Sequence, residues 1–266
     1  MPQFDITKIA TYLGKHKDQL DEIYDWKPKF LGLAEIGIAT ETEVIQLQSS
    51  DLSSFQKDEK LKDILSKALN SYAVDSQQFE KIVLWIIRKW GDINGGSDSN
   101  TMKSILEFLG TDRPKFHRIA STSKVGGFMT PAKRIIYDSR VAYTMNWILL
   151  SENAGDKFFP IPEGRNSKMR AFNLDVLIHL KFSDIFRPGN TENLKDRKYI
   201  SNRDKEIYIP KADAYYELNE LVGKVNQVLW DDSRKLEPFY TEMLLFALAD
   251  KGVFQEITER VRIEIR

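Results

Sequence analysis

The feature that most limits the folds open to this 266-residue chain is the recurrence of apolar residues three and four positions apart. "DEKLKDILSKALNSYA" (58–73) and "SQQFEKIVLWIIRKW" (76–90) carry it most plainly, and in the second Ile82, Trp85, Ile86 and Lys89 trace one side of a helix. The same spacing predicts helices over "TMKSILEFLG", which Gly110 should end, from about Lys115 to Ser121, and from Ser139 to about Leu150. It also predicts helices over "KMRAFNLDVLIHLKF", "ADAYYELNELVGKVNQVLW" and, behind Pro238, "FYTEMLLFALADKG". Strand candidates reduce to "EVIQLQ" and the alternating "RVRIEI". "GDINGGSDSN" and "KFFPIPEGRNS" read as turn and loop, and "RPGNTENLKDRKYISNRDKE" as a long loop or mobile insertion. The expectation is a mostly α protein with at most minor β. It is a single domain of two helical lobes, one central at about 75–155 and one built from helices of both chain ends.

A hydrophobic content of 42% with 11% aromatics supplies a sizeable core. The absence of cysteine excludes disulfides, thiolate zinc sites, cysteine-ligated iron–sulfur clusters and a cysteine nucleophile. His16, His117 and His179 are too scattered for a histidine metal site, so neither metal nor cofactor is expected. No apolar run approaches the ~20 residues that span a bilayer. The start "MPQFDITKIATYLGKHKDQLDE" has acids where a secretory leader would be apolar. These features predict a cytoplasmic protein with no membrane partner.

The net charge is zero, but the charges are segregated. Residues 1–63 carry eight Lys/Arg and twelve Asp/Glu. Residues 113–140 carry Arg113, Lys115, Arg118, Lys124, Lys133, Arg134 and Arg140 against the single acid Asp138. Such a run is either a solvated face or a phosphate-binding surface. Within it, "SKVGGFMTPAKRIIYDSRVA" sets one lysine, Lys124, ahead of that one acid. Asp138 stands where a helix begins and reads as an N-cap, worth roughly 0.5–2 kcal/mol. Lys124 opens a mixed apolar run and reads either as a surface lysine with a buried stem or as an amine nucleophile. The second role requires apolar walls or cations such as Arg118 and Arg140 around it, which favour the neutral amine.

"TSKVGGFM", Pro131 and "IYDSRVA" together resemble the helix–hairpin–helix DNA glycosylases, in particular the 8-oxoguanine glycosylase branch. In that family a lysine opens the helix after a hairpin and an aspartate caps the next helix. The resemblance makes Lys124 the nucleophile and Asp138 the essential carboxylate, with Arg140 at a phosphate-contacting position. Asn100 in "SDSNTMKSILEFLG" is similar to an asparagine that fills the gap left by an extruded base. "YTEMLLFALAD" looks like the family's base-pocket helix, with Glu242 in place of a base-reading glutamine and Phe246 as the stacking aromatic. Their i, i+4 spacing independently puts both on one helix face. The likeness covers roughly residues 80–150 and 236–250.

One departure is clear at the hairpin, where the family carries two glycines and this chain has "ASTS". Hydroxyls of Ser121, Thr122 and Ser123 would then stand in for backbone amides on a DNA phosphate, alongside Lys133, Arg134 and Arg140. The resemblance implies double-stranded DNA with a damaged or modified base as partner, no protein partner, and base flipping followed by glycosidic cleavage to an abasic site. An ionised Glu242 accepts hydrogen bonds only, which suits a cytosine-type base such as a hypermodified one in phage DNA. An 8-oxoguanine repair glycosylase/lyase, a non-catalytic DNA-binding module and a structural protein that pairs the basic segment with an acidic partner are the alternatives.

Overall fold

A computed structural model describes residues 2–162, 167–182, 190, 192, 205–262 and 264. The protein is mostly α. The helices are α1 (Ile6–Gly14), α2 (Leu20–Ile23), α3 (Glu41–Ser49), α4 (Ser54–Ser71), α5 (Gln77–Trp85), α6 (Asp98–Leu109), α7 (Ile119–Met129) and α8 (Ser139–Ser151). After them come α9 (Ser167–Ala171), α10 (Leu174–Lys181), α11 (Lys211–Leu229), α12 (Phe239–Leu248) and α13 (Phe254–Arg260). Among the described residues there is no strand, only two isolated bridges, Phe4 with Gly155 and Phe158 with Tyr208.

Local chemistry accounts for most helix starts. Ser53, Ser76 and Ser97 each accept a backbone N–H of the first turn of α4, α5 and α6, and Gly110 follows the end of α6. The alternation of "EVIQLQ" is overridden by a capping box. Thr40 Oγ1 accepts the Glu43 N–H at 3.2 Å and Glu43 accepts the Thr40 N–H at 2.7 Å, so the stretch is helical in α3. "RVRIEI" starts on the last residue of α13; Val261 and Arg262 form no strand, and Ile263 and Ile265 lie outside the described residues. The helix expected over 168–182 is divided, because Asn173 turns its side chain to the Asp175 N–H and caps α10. Most of the expected insertion at 187–206 lies outside the described residues.

Two apolar cores lie side by side. The first gathers α1, α8, α11, α12 and α13, through residues such as Leu13, Ile148, Leu218 and Leu244. The second gathers α4, α5, α6 and α7, through Leu61, Leu65, Ile82, Ile105 and Phe128. Ile135 belongs to the first core and Ile136 to the second, so the extended stretch between α7 and α8 runs along the seam. Trp26 packs against both cores.

Two local departures shape that seam. α5 continues into a π turn at Ile86–Trp90, whose added residue shifts the register. Lys89 therefore leaves the apolar face on which the 3.6 spacing had put it, and Trp90 is buried instead. The helix expected from Lys115 to Ser121 begins only at Ile119, since Arg118 takes the left-handed conformation with φ of 58°. Ala120, Ser121, Thr122 and Ser123 are thus not a turn but the first turns of α7, and Lys124 lies within the helix. Gly126 and Gly127 follow it, and both are there for clearance. A Cβ on Gly126 would sit 2.5 Å from Phe108 of α6, and one on Gly127 would sit 2.8 Å from Ile136.

Gly126→Ala sets a helix-propensity gain of about 1 kcal/mol against overpacking of a buried ring. Denaturant titration is expected to show a net loss of about 1–2 kcal/mol; an unchanged or raised midpoint would mean that α6 and α7 can separate freely.

Candidate active site

Where the two cores meet, a cleft of about 500 Å³ opens between α4, α7, the N-terminus of α8 and α12. Lys124, Asp138, Arg140, Glu242, Phe246 and Ser121 all line it. Lys124 is only 9% exposed, and its stem passes Gly91, where a Cβ would come within 3.2 Å of Lys124 Cδ. Its Nζ lies 5.3 Å from the Trp90 ring centre and 3.7 Å from Asp138 Oδ2. Asp138 divides its two oxygens between two tasks. Oδ1 accepts the Arg140 N–H at 2.9 Å and caps α8, while Oδ2 faces the lysine.

The walls are aromatic. Trp26 stands edge-on to Phe246 and close to Trp90, with ring centres 6.1 and 5.6 Å apart, and Tyr24 lies 6.0 Å from Phe246. Arg140 covers Phe246 at 4.6 Å and pairs with Asp250 at 2.8 Å, so it braces the wall. Glu242 and Phe246 share the cleft-facing side of α12, as their spacing predicts.

Deep in the cleft, α4 supplies residues that the sequence reading had not singled out. Asp58 is fully buried and accepts from Tyr24 Oη at 2.8 Å and Trp90 Nε1 at 3.0 Å, which fixes both rings. Lys62, 2% exposed, lies over the rings of Phe128 and Phe239. The available signal was their phase: Asp58 and Lys62 fall on the apolar stripe marked by Phe55, Leu61, Leu65 and Leu69.

Glu242 is 4% exposed, and its Oε2 has no hydrogen-bond partner. Burial raises its carboxyl from the ordinary 4.5 to about 7, with Lys62, the Ile136 N–H and Lys124 pulling it back and Asp58 pushing it up. Near neutrality this side chain is therefore present in part as the acid, which can donate as well as accept, rather than as a pure acceptor. Trp26, which also lines the cleft, has a buried Nε1 that is likewise without a partner.

Other expected contact residues go elsewhere. Ser123 is buried, and its Oγ accepts the Tyr137 N–H at 2.9 Å. Thr122 is buried, and its hydroxyl turns back to the Arg118 carbonyl. Neither presents a hydroxyl to a phosphate, because both are occupied in holding α7. Arg134 donates to the carbonyls of Phe108, Leu109 and Thr111, closing the end of α6. Lys133 is exposed on a different groove, beside α11. Asn100 is exposed in the first turn of α6, away from the cleft lining. Arg118 reaches the carbonyl of Gly95 rather than Lys124.

The basic run also loses its apparent excess. Arg113 pairs with Asp213, Lys115 with Glu107, Arg134 with Asp112, Arg140 with Asp250 and Lys124 with Asp138. Among the described residues no group of three or more His, Cys, Asp or Glu is placed to hold a metal ion, and no helix is long and apolar enough to cross a membrane. No family model, curated protein or solved structure matches the chain.

Glu242 generates a pH dependence of stability. Between 4.5 and about 7 the folded protein retains a proton that the unfolded chain releases, so stability falls as pH rises through this interval. The Glu242→Gln variant should show a flatter profile in urea titrations across it, by on the order of 1–3 kcal/mol. Parallel profiles would remove this carboxyl as the source.

Proposed function

We propose that the protein is a DNA glycosylase that draws a modified base into the cleft and cleaves its glycosidic bond, with Lys124 as nucleophile and Asp138 as the carboxylate that stabilises the sugar cation. The observation that carries this reading is the 3.7 Å approach of Lys124 Nζ to Asp138 Oδ2 on the wall of an aromatic cleft. Three further features support it. The amine is nearly sealed from water, the rings of Trp26, Trp90 and Phe246 line the cleft, and Glu242 and Trp26 in its lining each carry a buried polar atom without a hydrogen-bond partner.

In this mechanism positive charge grows on the sugar as the C1′–N bond lengthens, and Asp138 Oδ2 holds it electrostatically. Lys124 forms a bond from Nζ to C1′ and releases its ammonium proton towards the departing base. The base departs with the electron pair of the broken bond and takes up a proton. Opening of the sugar ring then gives a Schiff base, from which hydrolysis leaves an abasic site or elimination cuts the strand. A protonated Glu242 matches the N3 acceptor and N4 donor of a cytosine-type base with its own donor and acceptor, as it would other edges that set a donor beside an acceptor, and a modified cytosine, including bulky ones of phage DNA, is the substrate to test first.

The test is incubation with duplexes carrying modified cytosines, 8-oxoguanine or other lesions, followed by detection of abasic sites and borohydride trapping. A trapped adduct is expected with wild type and Lys133→Ala and absent with Lys124→Ala. Abasic sites without any adduct would move the nucleophile to a water activated by Asp138, and no base release from the whole panel would overturn the reading.

Asp138 separates structure from chemistry. Asn caps helices about as well as Asp, so Asp138→Asn should keep the cap and lose only the carboxylate's pairing with Lys124, while slowing base release on the order of 100-fold. Asp138→Ala should show the same kinetic loss together with a stability loss of about 1 kcal/mol.

A further inference from the structure

The cleft itself has nearly balanced charge, with Lys62, Lys124 and Arg140 against Asp58, Asp138 and a partly protonated Glu242. It offers little net attraction to a polyanion. The basic run at 113–140 adds little, since five of its seven cations are paired with acids and Arg118 is turned to a carbonyl. A DNA substrate therefore needs cations from some other part of the surface.

They are gathered in a second hollow of about 840 Å³ beside the cleft. Lys27, Lys29, Lys57, Arg88 and Lys89 line it against the single acid Asp92. The acid meets Lys29 at 3.7 Å, a surface pair of the same kind as Lys115 with Glu107. Arg88 is committed to the turn that follows α5, through the carbonyls of Ile93, Gly95 and Gly96. Lys57 donates to the Gln48 carbonyl. Lys27 and Lys89 are exposed, with no acidic partner among the described residues.

The hollow and the cleft are built from the same two chain segments. Trp26, Trp90, Gly91 and Ile93 line the cleft, while their chain neighbours Lys27, Lys89, Asp92 and Asn94 line the hollow, so the same two segments wall both. The π turn matters here, because the shift in register that buries Trp90 at the cleft also delivers Lys89 to the surface next to it. By comparison, the open groove along α11 carries Lys133, Arg134, Lys224 and Lys235 against Asp112 and Glu220, a smaller excess.

We infer that the hollow lined by Lys27, Lys29, Lys57 and Lys89 is the backbone-binding track for the DNA strand whose base enters the cleft. The inference rests on the glycosylase reading above and assigns the phosphate grip to segments remote in sequence from the lysine and its aspartate. In this arrangement phosphates flanking the extruded nucleotide lie along the lysines, and the aromatic wall carrying Trp26 and Trp90 separates the backbone from the base.

The test is equilibrium binding of an unmodified duplex at several salt concentrations. The proteins compared are wild type, the double variant Lys27→Ala/Lys89→Ala, and a control double variant Lys224→Ala/Lys235→Ala on the other groove. All four side chains are exposed, so folding should be retained, and thermal melts check it. Each phosphate contact contributes about 0.9 to the slope of log affinity against log salt, so the first variant should lose about 1.8 from the slope and the control nothing. If the first variant keeps the wild-type slope, or the control loses as much, the track is elsewhere and the inference falls while the glycosylase reading stands. If wild type binds no duplex at any salt concentration, both fall together.

Discussion

Three consecutive backbone amides, at Ile135, Ile136 and Tyr137, hold the site together. The chain is extended there but has no strand beside it, so its buried donors must find side-chain acceptors. Asn219 of α11 takes the Ile135 N–H at 3.0 Å, Glu242 of α12 meets that of Ile136, and Ser123 of α7 takes that of Tyr137 at 2.9 Å. Three helices therefore anchor one short segment, and that segment delivers Asp138 to the start of α8 opposite Lys124. An unpaired buried amide costs about 1–3 kcal/mol, so the arrangement is held at each step. It also explains a serine at position 123, where the hydroxyl supplies an acceptor that glycine could not.

The cleft contains more buried charge than stability alone would favour. Removing an ion from water costs several kcal/mol even after relaxation. Asp58 offsets this with two hydrogen bonds from ring-bearing side chains, and Lys62 with two aromatic faces. Glu242 offsets it least, retaining an unmatched oxygen and a proton near neutral pH. An acid held in this way is suited to a ligand that completes its hydrogen bonds, which is why it bears on recognition more than on the fold.

Much of this was legible from local rules. The cap at Asp138, the ends of α6 and the shared face of Glu242 and Phe246 follow from relations within one or two helical turns. The alternation in "EVIQLQ" misled because a capping box four residues long outweighed it. The turn expected at "ASTS" misled because the break falls earlier, at the left-handed Arg118. Lys89 and Trp90 exchanged roles through one extra residue in a π turn, which no 3.6-residue template anticipates. Asp58 and Lys62 were visible only as charges in phase with an apolar stripe.

From sequence alone came the helical class, the absence of thiol chemistry and a lysine ahead of a helix-capping aspartate, because periodicity, composition and capping act over short separations. Tertiary structure decided which charges are free. Arg113 meets an acid a hundred residues away, Arg140 meets Asp250, and the unpaired lysines beside the cleft come from segments about sixty residues apart in the chain. Coulombic pairing depends on distance in space, which no run of like charges in one dimension reveals. For the same reason the meeting of Lys124 with Asp138, and of both with Glu242, became fixed only when the two cores closed along a shared seam.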